Sequence, residues 1–463
     1  MLELRGLAEH VDQRLPVLDH ERRLRRRLAT ARLDHLCKPA ATRGRHVRFH
    51  FGHGSSTIVT QVFCRHTDGR AWYDPVQMLD ELTPTREELE LEAEQNVTAL
   101  ELFFDLVFVF AITQVTGFLY HDPTWLGLVE ALGVLMALWF TWSAYAWLGN
   151  TAGTDEGPIR VVVLGVMGPL LVASLAVAHS FGTDALLFGL AFFFVRAMHI
   201  VAYAVLARDD PRLREVVPRL ARTMLPAAGL LVVAGAVSGT ARALCWIAAL
   251  AIDYGGLWLS GTENWRVNAS HFAERHRLII IIALGESIVA LGVGTGDLST
   301  GIVVGALLGI AVAAALWWTY FDVVAIVAER KLREASMAAR ARMARDSYTY
   351  LHLPMLAGIV IFAFGVKTTL ADVHAELETL PAASLAGGVA LYLVALSALK
   401  RRNIGSFNRP RLAAAVLLAI LAPAATRMPA LVSLAFVAVV MCSLVAFETW
   451  HYAQARDRIR HGR

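Results

Sequence analysis

Apolar runs of about 17 to 25 residues recur from Leu100 to Glu448, each long enough to cross roughly 30 Å of hydrocarbon as a helix. Short loops holding Gly, Pro, Asp or Arg separate them. Buried helices of soluble proteins seldom repeat at that length. The pattern predicts about twelve spans, near 100 to 120, 126 to 148, 159 to 179, 184 to 206, 224 to 239, 242 to 261, 276 to 294, 300 to 328, 349 to 371, 383 to 399, 411 to 425 and 430 to 449. The fifth and eleventh are short. The expected fold is all-α, a polytopic membrane helix bundle.

Basic residues fall in alternate loops, as the bias of Lys and Arg toward cytoplasmic loops requires. Arg208, Arg212, Arg214, Arg219 and Arg222 follow span four. Arg330, Lys331, Arg333, Arg340, Arg342 and Arg345 follow span eight, and Lys400, Arg401, Arg402, Arg409 and Arg411 follow span ten. The intervening loops, YHDPT, HSFGTD and GVGTGDLST, carry almost none. Both termini are therefore expected in the cytoplasm of a multi-pass protein of the bacterial inner membrane. That arrangement needs an even number of spans.

The spans also repeat. FFDLVFVFA laid over LGESIVALG puts Asp105 on Glu286, LWFTW over LWWTY puts Trp139 on Trp317, and Pro169 falls on Pro354. Similar offsets in the same order suggest two six-helix repeats, residues 100–261 and 262–449, between a cytoplasmic arm (1–99) and a basic tail (450–463). Because six is even, the repeats would be parallel, related by an axis along the membrane normal.

Residues 1–99 differ in character. HERRLRRRLATAR and RGRHVRFHFGHG read as a basic, largely disordered arm able to touch anionic lipid, with no signal-peptide core. A second reading starts the natural chain further along, for example at Met78. TREELELEAEQ fits a short surface helix with Thr85 as N-cap and Glu88 three residues on.

Composition agrees with the pattern: 56% of residues are hydrophobic, 18% are charged and the mean hydropathy is +0.51, above the range of ordinary soluble domains. The net charge of +4 is accounted for by loops and tails, so no nucleic-acid partner is implied. Cys37, Cys64, Cys245 and Cys442 are scattered, without metal spacing or a disulfide framework; the two in spans read as small buried apolar residues. No nucleotide loop, dinucleotide fingerprint, metal-ligand pair or nucleophile elbow appears, so neither cofactor nor metal is expected.

Ionisable residues inside spans carry the functional signal, since each costs about 2.5 to 3.5 kcal/mol at the bilayer centre and turns toward protein or water. Arg196 and His199 sit mid-span four, Asp253 well inside span six and Glu286 near the centre of span seven. Glu101 and Asp105 open span one, Glu130 lies near the outer end of span two and Asp322 near the inner end of span eight. Glu101 also suits a helix start beside the positive end of the dipole. Arg196 is the natural cation to neutralise one of the acids. Glu101, Asp105, Phe108 and Ile112 share a face of span one, while Ala283, Ser287, Ala290 and Gly294 form a small-residue stripe beside Glu286. Span seven should therefore be central. Trp139, Trp142, Tyr145 and Trp147 read as an interfacial belt, Trp317, Trp318 and Tyr320 as packing, and His199, His271 and His352 as satisfied polar residues.

ELFFDLVFVFAITQV at 101–115, HFAERHRLIIIIALGESIVALG at 271–292 and RDSYTYLHLPMLAGIV at 345–360 resemble the bacterial low temperature requirement A (LtrA) family over roughly 96–450. The resemblance implies an integral membrane protein and supplies no substrate. The matching motif positions are Glu101, Phe104, Asp105, Phe108 and Gln114, then His271, Glu274, Arg275, Gly285, Glu286 and Ser287, then Arg345, Tyr348, His352 and Gly358. Asn96 stands where relatives often carry a basic residue, which argues against an arginine there pairing with Glu101 or Asp105. FFDLVFVFAI also resembles, more weakly, the opening helix of potassium channels with six-helix repeats. Phe104 replaces the serine before the Asp, so pore chemistry does not carry over.

These readings lead to a transporter or channel in which Asp105 and Glu286, with Glu101 and with Arg196 and Asp253 as internal partners, bind a cation, proton or small polar solute. The partners are the lipid bilayer and that solute, with a homo-oligomer as an option. A membrane enzyme is the second reading, its cytoplasmic cluster of His271, Glu274, Arg275, Arg345, Tyr348 and His352 acting on a lipid headgroup. A structural membrane protein without substrate is the third.

Overall fold

The Thr98 hydroxyl accepts a hydrogen bond from the Glu101 N–H at 3.2 Å, and the Glu101 carboxylate accepts one from the Thr98 N–H at 3.0 Å. This capping box satisfies two donors that would otherwise open the first helix unpaired. The computed structural model describes residues 97–461 except 153, 155, 156, 260, 263, 264 and 293–298, and leaves the side chain at 291 undescribed. The amino-terminal arm, the TREELELEAEQ segment and Gly294 fall outside these residues.

The helices in chain order are α1 (Ala99–His121), α2 (Trp125–Thr151), α3 (Gly157–Leu175), α4 (Ala185–Leu206), α5 (Leu213–Ala236) and α6 (Gly239–Leu259). Then follow α7 (Ala269–Gly292), α8 (Thr300–Phe321), α9 (Val324–Glu334), α10 (Met337–Met343), a π-helical turn (Ala344–Tyr350) and α11 (His352–Ala371). The last are α12 (Thr379–Ile404), α13 (Arg409–Leu421), α14 (Ala430–His451) and α15 (Ala453–His461). Thr124, Ser299 and Asn408 cap α2, α8 and α13 with their side-chain oxygens.

Eleven helical segments among the described residues are long and apolar enough to cross a membrane. The helix at the seventh expected span, α7, is not among them. Its 24 residues are ample in length, but they include Glu274, Arg275, Arg277 and Glu286. These charges are tolerable because α7 lies inside the bundle, packed against α1, α2, α8, α9 and α11. Ile279, Ile280 and Ala283 are fully buried, as the central placement of this span requires.

Several boundaries move for local reasons. α5 begins at Leu213, well before 224, because Arg214, Glu215, Arg219 and Arg222 lower its hydropathy without breaking the helix. α7 begins at Ala269 with its charged first turns, where hydropathy alone starts at 276. Pro354 lacks an N–H for the Tyr350 carbonyl, and the chain enters α11 through the π-helical turn. The eleventh span pairs the short α13 with a 3-10 segment, Ala422–Arg427, that contains Pro423.

In the first half α1 packs on α3, α3 on α4, α4 on α5, α5 on α6 and α2 on α6. In the second, α7 packs on α11, α11 on α12, α12 on α13, α13 on α14 and α8 on α14. The halves meet where α1 and α2 touch α7 and α11.

The α11/α12 contact depends on two glycines. A Cβ on Gly358 would lie 2.6 Å from the Gly388 carbonyl oxygen and 2.8 Å from the Tyr392 nitrogen, both backbone atoms that cannot rotate away. Gly358→Ala should therefore cost about 1–3 kcal/mol through overpacking. The expected result is a lower melting temperature in detergent. Gly387→Ala, whose added carbon meets nothing within 4 Å, should leave melting unchanged.

Candidate functional site

Glu101 and Asp105 stand one turn apart on α1, and His271 and Arg275 one turn apart on α7, so each pair shares a helix face. The two faces meet. Arg275 Nη1 lies 2.8 Å from Glu101 Oε1, Arg275 Nη2 lies 2.7 Å from Asp105 Oδ1, and His271 Nε2 lies 3.0 Å from Glu101 Oε2. All four residues are at most 2% exposed. The cation that neutralises these acids is thus Arg275, where Arg196 had been the candidate, and it comes from the second motif. A basic residue at position 96 is not needed.

Trp142 of α2 completes the site. Its indole N–H donates to Asp105 Oδ1 at 2.8 Å, and the Arg275 guanidinium carbon lies 5.7 Å from its ring centroid. Gly149, on the same helix, leaves room for the Glu101 carboxylate, since a Cβ there would collide with Glu101 Oε1. Asp105 Oδ2 and Arg275 Nε have no hydrogen-bond partner among the described residues. One guanidinium thus serves two carboxylates, and the His271 ring adds a further contact to Glu101.

The tryptophans expected at the interface are core residues: Trp139 and Trp142 are fully buried. Trp139 donates to the Thr349 carbonyl at 2.7 Å, while Ser143 and Trp147 donate to the Thr349 hydroxyl at 3.0 and 3.1 Å. Three residues four apart on α2 therefore grip one residue of the π-helical turn. Beside it, His352 Nδ1 donates to the Ser347 carbonyl at 2.8 Å, so its Nε2 accepts from the Tyr320 hydroxyl at 2.9 Å. Tyr348 stacks on His352 with centroids 5.1 Å apart, and both rings lie against His276. His276 Nε2 is buried without a partner among the described residues.

The other predicted residues occupy separate places. Glu286 is 3% exposed and accepts from the Thr113 hydroxyl at 2.6 Å, two turns beyond Asp105, a distance of about 12 Å along α1. It forms no ion pair among the described residues; Lys367 of α11 is in electrostatic reach, its Nζ 4.3 Å from the Tyr120 ring centroid. Asp105 and Glu286 thus face protein, as expected, but do not share a site. Arg196 pairs with Asp253 at 2.6 Å between α4 and α6, and its guanidinium lies 5.0 Å from the Phe140 ring centroid. Of the expected cytoplasmic cluster, His271 and Arg275 join the α1 acids and Tyr348 stacks on His352. Arg345 turns to Asp346 at 2.8 Å, and Glu274 is half-buried without an ion pair among the described residues.

Sequence reasoning missed Trp142, Thr349, His276 and Thr113. The signal for Trp142 was its place in LWFTW, and for His276 its place next to Arg275; Thr349 and Thr113 carried none. No group of three or more His, Cys, Asp or Glu side chains able to hold a metal occurs among the described residues. Cys442 is exposed and Cys245 half-exposed, so neither is the buried filler expected.

The three sequence blocks 101–115, 271–292 and 345–360 converge around Arg275 and His276. The many spanning helices and the charges held inside them define a multi-pass membrane protein of the helix-bundle type. Residues 96–446 match the family described as Bacterial low temperature requirement A protein (LtrA), and the chain belongs to that family. It is 30% identical over 315 residues to an uncharacterized protein of Rhizobium meliloti (strain 1021), covering 65% of this chain and 76% of that one. No solved structure matches it.

Removing Arg275 leaves two carboxylates buried without their cation. Arg275→Met should lower stability by about 3–5 kcal/mol, the usual loss when one partner of a buried pair is removed. The triple variant Glu101→Gln, Asp105→Asn, Arg275→Met should recover much of it. Thermal unfolding in detergent checks both, and a triple variant no more stable than Arg275→Met would contradict the electrostatic account.

Proposed function

We propose that this protein is a carrier or channel of the bacterial inner membrane that moves protons or a small cation, with Glu286 as the group that binds them. One observation carries the reading. Among the buried acids of α1, α6 and α7, Glu286 alone is held by a hydroxyl and not by a cation at ion-pair distance. A buried carboxylate in that setting gains most from a proton or metal cation arriving from outside, since either removes an uncompensated charge from a low-dielectric site.

The arrangement along α1 and α7 supports a path. The Glu101–Asp105–Arg275–His271 cluster sits at the end of the bundle that bears the arginine-rich loops, and Glu286 with Thr113 lies deeper. Charge bias supports a cytoplasmic side for that end and for both termini. Matching neighbour orders in the two halves support a pair of parallel six-helix repeats with α1 and α7 as equivalent central helices. The cluster would fix the α1/α7 register, while Glu286 alternates between loaded and empty.

The lipid-headgroup enzyme is less well supported. His271 and Arg275 are sealed against Glu101, Arg345 turns to Asp346 and Glu274 forms no ion pair among the described residues, so these contacts do not gather the six residues in one surface cleft.

The test is flux in proteoliposomes under imposed proton, K+ and Na+ gradients. Wild-type protein should carry at least one of these above protein-free vesicles, and Glu286→Gln should reduce that flux to the vesicle background. Thr113→Val should keep part of it. Unchanged flux in Glu286→Gln, or no wild-type flux under any gradient, would overturn the proposal.

A further inference from the structure

A second site lies away from the α1/α7 interface. Two narrow adjoining cavities share the walls Phe140, Leu220, Met224, Leu257 and Trp265, so they form one cleft between α2, α4, α5 and α6. The lining is almost wholly apolar, yet arginines stand at its mouth: Arg345 borders one lobe and Arg219 the other. Apolar walls with cationic lips suit an amphiphile, not a soluble ion.

The position of the cleft narrows the choice further. α6 is the least buried of the spanning helices and leaves Leu244, Ile247, Trp258 and Leu259 exposed. The cleft therefore opens beside a surface that faces lipid. Arg345 Nη1 is 3.5 Å from the Trp258 carbonyl oxygen, and an exposed Trp on a lipid-facing helix marks headgroup depth. Arg345 thus lies at the level of lipid phosphates. Its Nε is 2.8 Å from Asp346 Oδ1, while Asp346 Oδ2 is 2.8 Å from Arg402 Nη2. Two guanidiniums, of Arg345 and Arg402, thus share the Asp346 carboxylate, and Arg345 Nη2 has no partner among the described residues.

We propose that this cleft binds one anionic phospholipid, with an acyl chain between α2, α4, α5 and α6 and the phosphate on Arg345. The lower wall includes His199, whose Nε2 donates to the Ala144 carbonyl at 3.0 Å and whose Nδ1 is buried without a partner among the described residues. The upper wall includes Thr349 of the π-helical turn, the residue that α2 grips through Trp139, Ser143 and Trp147. A lipid here would touch the segment that joins α10 to α11, so occupancy would stabilise that join. The assignment does not depend on the transport reading, because no residue of the Glu286 path lines the cleft.

Brominated lipids test it on unmodified protein, since Trp147 and Trp265 line the cleft. In phosphatidylcholine nanodiscs doped with phosphatidylglycerol, quenching by chain-brominated phosphatidylglycerol should exceed that by brominated phosphatidylcholine at equal doping. Retained lipid, measured by native mass spectrometry, should favour phosphatidylglycerol by about fivefold, the effect of one basic residue at the membrane surface. Arg345→Gln should bring that preference near parity, and Met224→Trp, which fills the cleft, should abolish retention of either lipid. Equal quenching and retention of the two lipids by wild type would overturn the proposal, as would full retention by a folded Met224→Trp. Displacement of phosphatidylglycerol by inorganic phosphate alone would assign the arginines to a soluble anion and overturn it too.

Discussion

Arg275 has to neutralise two carboxylates at once inside a bundle that offers them no water, and much of the structure is arranged to let it. Charges withdrawn from water lose several kcal/mol of hydration each and recover it only through close, well-aligned partners. The guanidinium is planar and forked, so its two ends can meet Glu101 and Asp105 when these lie one turn apart. A lysine at the same place would offer a single point charge. The register of α1 against α7 follows, because a shift by one residue would turn the acids away from the fork. Gly149 and Trp142 on α2 then adapt to the pair, one by giving Glu101 space and the other by donating to Asp105. The Glu101 carboxylate also closes the capping box of α1, so the start of the helix and the ion cluster depend on the same side chain.

The far half of the same interface is built differently. Glu286 is as deeply placed as the acids of the cluster but meets a hydroxyl, which orients a carboxylate without cancelling its charge. The contrast between an ion-paired cluster at one end and, beyond it, an acid outside any ion pair among the described residues gives the α1/α7 pair a direction. A third pair, Arg196 with Asp253, stays within the first half and is covered by Phe140 and Phe192, which suits a clamp between α4 and α6. Buried ionisable groups here thus serve different ends according to what each one meets, although all look alike in an apolar run.

How far these roles could be read from the chain varies by residue. Asp105 and Glu286 stand out in any apolar run, since burial of a carboxylate is costly enough to demand a protein partner. Trp142 does not, because an indole near the end of a span fits an interfacial belt equally well. Pairing was harder still. Arg196 and Arg275 are both arginines within reach of the membrane interior, and only the packing of α7 on α1, and of α4 beside α6, assigns each to its acid. The amphiphilic cleft had no trace in the sequence, for its walls come from α2, α4, α5, α6 and the π-helical turn.

The sequence by itself determined the all-helical membrane bundle and the approximate position of most spanning helices, because hydrocarbon thickness and backbone hydrogen bonding leave a long apolar run little choice but to be a helix. It also marked the charges that must face inward, since each one's burial cost is a property of that residue alone. Tertiary structure decided which charges meet, that Asp105 and Glu286 lie two turns apart and not together, and that α7 can hold four charged residues within the bundle. Those outcomes depend on distances between segments far apart in the chain, and electrostatic energy in a low-dielectric interior changes steeply with such distances.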